Sequence, residues 1–106
     1  MTEREQFDKL VRDDIPEVIA ANDETPHTHV ATGEEYRRRL HEKLDEEVAE
    51  FHEDPGTGEL ADVREVLDAI RDHYGIDEDA VAARRREKAA ERGRFDDGVV
   101  LEAVER

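Results

Sequence analysis

Two apolar stripes separated by Asp54-Pro55-Gly56 constrain this chain more than any other feature. Tyr36, Leu40, Leu44, Val48 and Phe51 recur at steps of four, four, four and three, which puts them on one face of a helix. The spacing predicts a helix from about residue 34 to 53, stopped by the Pro-Gly pair. Leu60, Val63, Val66, Leu67, Ile70 and Tyr74 predict a second helix from about residue 58 to 74, with Gly75 placed for a left-handed cap. So short a connection makes the two an antiparallel hairpin. Pro16 suits the first turn of a short helix from Ile15 to Asn22, and residues 23–33 read as a loop. Asp77 is a candidate N-cap for a third long helix that ends at Gly93. The tail "FDDGVVLEAVER" offers an Asp-Gly turn and, at 99–101, either a short strand or the start of a helix. The class is all-α: one domain over residues 1–106, a helical hairpin core with additional helices.

The material for a core is scarce, since 36% of residues are hydrophobic and 44% charged. A lean core in a chain of 106 residues borrows burial from a second copy, so a homo-oligomer, dimer or tetramer, is expected. The net charge of −15, from 31 acids against 16 bases, repels nucleic acid and anionic membranes and disfavours both as partners. Disordered chains share that balance, but ordered stripes are the mark of a folded domain. The bases are 13 Arg and 3 Lys, and the acids are expected to face solvent, a pattern like that of salt-adapted, halophilic cytoplasmic proteins. Cysteine and serine are absent, which excludes disulfides, thiol chemistry and serine nucleophiles. No apolar run reaches membrane-spanning length, and "MTEREQFDKL" is too polar for a signal peptide, so the expected location is cytoplasmic.

Acids crowd the hairpin turn. Glu47 and Glu50 are three apart, as are Glu59 and Asp62, and residues three apart share a helix face. Spacing alone carries little weight, because about nine acid pairs at that interval arise by chance in this composition. Position carries more. Glu47 lies one turn from Leu44 and Phe51, Asp62 one turn from Val66 and Glu59 one turn from Val63, and the two pairs sit at matching depth from the turn. Four carboxylates converging beside a core repel one another unless a cation neutralises them, and oxygen ligands without cysteine select magnesium, or manganese, over zinc. The alternative is a plain acidic surface. Glu46 and Glu65 are neighbours that could serve as outer ligands or as a base, with Glu46 the closer to an ordinary solvated charge.

Positive density is informative in so acidic a chain. Lys88 and Arg92 are four apart near Gly93, and Lys9 and Arg12 flank "KLVRDDIP". A phosphorylated substrate needs such cations beside a metal. Arg84, Arg85 and Arg86 read as a solvated face paired to Glu87 and Glu91, and Arg37, Arg38 and Arg39 as surface. His27 and His29 form an H-x-H in a loop with no evident third nitrogen ligand, which makes a poor zinc site. No P-loop and no G-x-S-x-G elbow is present.

"KLVRDDIPEVI" (9–19), "KLDEEVAEF" (43–51), "ELADVREVLDAI" (59–70) and "KAAERGRF" (88–95) stand in the order found in the MazG-like, phosphoribosyl-ATP pyrophosphohydrolase-like proteins, which the chain resembles over most of its length. The resemblance implies an all-α fold assembled as an oligomer. It also implies magnesium held by Glu47, Glu50, Glu59 and Asp62, and phosphate contacts from Lys9, Arg12, Lys88 and Arg92. The implied reaction cleaves a nucleoside triphosphate between its α and β phosphates, with Glu47 and Glu50 at the catalytic centre. Phosphoribosyl-ATP hydrolysis is a narrower alternative. Asp14, where a lysine is common, and Arg94, where a second glycine is common, are the ground for another: a non-catalytic nucleotide-binding or oligomerisation module.

Overall fold

The computed structural model describes residues 3–106, so the first two residues of the polar N-terminus lie outside the described part. It is all-helical, with α1 at Ile15–Ala21, α2 at Gly33–Glu53, α3 at Thr57–His73 and α4 at Glu78–Arg92. The chain divides into two compact units, Met1–Tyr74 and Gly75–Arg106.

In the first unit α2 and α3 are the principal packed pair, joined by residues 54–56 as the Pro-Gly signal predicts. α2 starts one residue earlier than expected, at Gly33, whose positive φ of 55° suits a residue without Cβ. α1 carries Pro16 in its first turn and ends before Asn22. The apolar stripes meet at Leu40, 2% exposed, and Val66, 9% exposed, with Tyr36, Leu44, Phe51, Val63 and Ile70 half-buried around them. Full burial of one such leucine contributes about 2 kcal/mol. The rest of the stripe is uncovered: Val48, Leu60, Leu67 and Tyr74 are exposed. Two long helices close one seam between them and leave each other's flanks bare.

The second unit is α4 with its flanks. Asp77 caps α4 as expected, its carboxylate accepting from the Ala80 N–H at 3.1 Å. Gly75 and Gly93 take positive φ of 66° and 78° at the two junctions. The Asp-Gly turn also forms, with the Gly98 N–H donating to the Phe95 carbonyl at 3.3 Å. Residues 99–101 are neither strand nor helix, contrary to both expectations for them. Val99, Val100 and Leu101 have neither a partner strand nor an apolar face to cover them, and all three stay exposed. Among the described residues no helix is long and apolar enough to cross a membrane.

Candidate site at the acidic end of the hairpin

Helical period places Glu47 at the margin of the α2 stripe, and the side chain is indeed buried, 6% exposed. Lys43, one turn earlier, donates to Glu47 Oε1 at 3.1 Å and reaches Glu46 Oε2 at 3.3 Å. Burial would lower the Lys43 pKa, but its bonds to Glu47 and Glu46 outweigh that and hold it raised. Glu47 Oε2 is different: it is shut off from solvent and has no hydrogen-bond partner among the described residues. Hydrogen bonding to Glu47 and repulsion by its charge push the Glu50 carboxyl above its ordinary value, with the field of Glu46 adding and Lys43 opposing.

Two cations reach this region from the segment before α1. Lys9 Nζ donates to Glu46 Oε1 at 2.6 Å and Arg12 donates to Asp62 Oδ1 at 2.8 Å. The bond to Asp62 holds the Arg12 guanidinium above its ordinary value against a small burial effect, and the charges of Asp62, Glu65 and Glu47 strengthen the hold. Glu46 is therefore not the solvated charge its sequence position indicates. Burial would raise its pKa, but the bonds from Lys9 and Lys43 bring it below the ordinary value. A small cavity of about 170 Å³, lined by Lys9, Leu10, Arg39, Lys43 and Glu46 among others, lies beside this contact.

The quartet read from the sequence is thus brought together in part. Glu47 and Glu50 are adjacent, and Asp62 and Glu47 act on the same guanidinium. The Glu59 carboxylate lies at the start of α3, its Oε1 3.2 Å from where a Cβ on Gly56 would stand. Glu59 is the third residue of α3 and Gly56 is its N-cap, the positions at which an acid folds back on the helix start. Among the described residues no group of three or more His, Asp or Glu side chains is arranged to hold a metal ion. His29 instead pairs with Glu35 at 2.8 Å.

Lys88 and Arg92 are exposed on α4 and form no ion pair among the described residues, whereas Arg84 pairs with Glu87 at 3.0 Å as a solvated face should. Of the arginine run on α2, Arg37 bonds Glu34, Arg38 bonds Glu42 and Arg39 donates to the Asp8 carbonyl at 2.6 Å. Lys43 is the residue that sequence reasoning missed. Its signal was the i, i+4 spacing to Glu47, which looks the same on any charged helix surface.

No protein-family model matches the chain, and no solved structure matches it. A protein of Mycolicibacterium smegmatis described as uncharacterized is 52% identical over 43 residues, which are 41% of this chain and 44% of that relative. The match thus spans less than half the length of either protein.

Proposed function

We propose that this chain is a magnesium-dependent nucleoside triphosphate pyrophosphohydrolase, cleaving the α-β phosphate bond to release a nucleoside monophosphate and pyrophosphate. The observation that carries the reading is the buried Glu47 Oε2 without a hydrogen-bond donor, beside a Glu50 carboxyl that its neighbour keeps hard to ionise. The carboxylates of Glu47, Glu50, Glu59 and Asp62 are hard oxygen donors of the kind magnesium or manganese takes, and they would have to draw closer than they stand to hold one. A cation held there supplies Lewis acidity toward phosphate oxygens. Glu47, Glu59 and Asp62 would hold it. Glu50, its pKa raised, is suited to take a proton from an attacking water. The resemblance to MazG-like proteins supplies the nucleotide.

The test is pyrophosphate release from a panel of nucleoside triphosphates with magnesium, in low and high salt. Turnover is expected from the wild type and is lost in Glu50→Gln. Equal turnover by that variant, or none by the wild type on any nucleotide, sinks the reading. Activity confined to phosphoribosyl-ATP selects the narrower enzyme.

The uncovered stripe favours assembly as a homo-oligomer, and it equally suits a non-catalytic nucleotide-binding or oligomerisation module. Nucleotide-dependent thermal stabilisation without product identifies that second reading.

A further inference from the structure

The α2–α3 hairpin has two flanks. Glu46 and Val48 on α2, and Asp62 and Leu60 on α3, are each two residues apart, so they point about 200° away from one another. Lys9 and Arg12 reach Glu46 and Asp62, which fastens the segment before α1 to the first flank. The second flank is bare: Val48, Leu60, Leu67 and Tyr74 are exposed. The hydrogen bond between His41 and the Tyr74 hydroxyl joins its two rows, since His41 and Val48, like Leu60, Leu67 and Tyr74, stand seven apart. Arg64 lies between Leu60 and Leu67 on the α3 row, exposed and in no ion pair among the described residues, whereas Arg71 on the same row is bonded to Asp72 at 3.1 Å. A partner for this flank is therefore apolar and acidic.

The sequence itself supplies such a segment. Val99, Val100, Leu101 and Val104 are 86%, 80%, 77% and 58% exposed, and Glu102 and Glu105 stand among them with no ion pair among the described residues. The lengths agree as well. Gly98 to Val104, extended, spans about 20 Å, and Leu60 to Tyr74 along α3 spans about 21 Å. The bare flank suits its own copy less well: two α3 rows laid antiparallel about Leu67 would bring Arg64 of each against Arg71 of the other, where like charges meet. We infer that the flank formed by Val48, Leu60, Leu67 and Tyr74 is covered by residues 98–104 of a second copy, with Glu102 of that copy facing Arg64. The exchange is reciprocal, so a dimer makes the contact twice. It rests on the homo-oligomer reading and makes no use of the acids at the turn.

The experiment is sedimentation equilibrium of the whole protein as wild type, Leu101→Asp, Arg64→Glu, the double variant Arg64→Glu with Glu102→Arg, and the control Val30→Asp, which changes an equally exposed valine in the loop before α2. A wild-type dimer is expected. Leu101→Asp should weaken it about a hundredfold by placing a charge against the apolar row. Arg64→Glu should weaken it about tenfold, the double variant should restore it, and Val30→Asp should match the wild type. Because the chain has no cysteine, Leu67→Cys and Leu101→Cys report the contact directly: mixed, they should form a disulfide-linked dimer about tenfold faster than either alone. A monomeric wild type overturns this inference together with the homo-oligomer. A dimer that survives Leu101→Asp overturns the tail contact and leaves the homo-oligomer standing. Faster linking by Leu67→Cys alone, which sets α3 against α3, overturns it too, as does a disulfide closed within one chain carrying both cysteines. Should Arg64→Glu fail to fold, Leu101→Asp decides, since that position is uncovered in the fold.

Discussion

The two ends of the α2–α3 hairpin are held by different forces. At the open end, Tyr36 meets His73 edge-on with ring centroids 5.4 Å apart, and His41 Nε2 and the Tyr74 hydroxyl share a hydrogen bond of 2.8 Å. These two contacts join α2 to α3 or to the residue that caps α3 and need no charge, although ion pairs such as Arg38–Glu42 and His29–Glu35 also lie on this end of α2. At the turn end, the acids of both helices face cations, and two of those cations come from outside the hairpin, Lys9 and Arg12. The aromatic contacts need no neutralising partner, whereas the acidic contacts depend on theirs. The contacts at the acidic end therefore answer to salt and to the segment before α1 more than the aromatic contacts do.

The sharpest way to break this contrast is Lys43→Ala. It leaves buried Glu47 without its cation and should cost about 3 kcal/mol, read from urea unfolding. Tyr74→Phe removes only the hydroxyl that bonds His41 and should cost about 1 kcal/mol, equally in low and high salt. A salt-dependent loss at Tyr74 would erase the distinction between the ends. Glu50→Gln should raise the melting temperature of the metal-free protein. Glu50 is raised in the fold, so the stability tied to its protonated form is full below its ordinary 4.5 and is lost as pH rises through the raised value. The gap between the variant and the wild type should open over that rise and close on acidification. The smallest effect belongs to Glu35. Its hydrogen bond with His29, helped by Arg39 and opposed by burial, keeps its carboxyl below the ordinary 4.5. That contribution is present above pH 4.5 and vanishes as pH falls through the lowered value, so Glu35→Gln should differ from the wild type only on the upper side.

How much of this was legible depends on whether a contact is local. The hairpin, its turn, the cap at Asp77 and the burial of Glu47 all follow from spacing along single helices, where geometry repeats every 3.6 residues. The bond between Arg12 and Asp62 joins residues 50 apart, and no period encodes it. Glu46 looked like a surface acid because its helix position says so; Lys9 arrives from a non-helical segment and changes its surroundings. Glu59 was placed with Asp62 by face, yet its nearness to the start of α3 gave its carboxylate a competing position at Gly56. The exposed tail failed for the opposite reason: its apolar residues have strand character but nothing to pair with.

Gly56 therefore governs more than a turn. Its φ of −138° is extended backbone that any residue adopts, so nothing in its own conformation demands glycine. What the missing side chain leaves is a parking place for the Glu59 carboxylate. A methyl group there would press on it, and the carboxylate would have to give by a few tenths of an ångström. The position of a charged residue is thus adjusted by an uncharged one three positions away, where it can be nudged without altering a single charge in the protein.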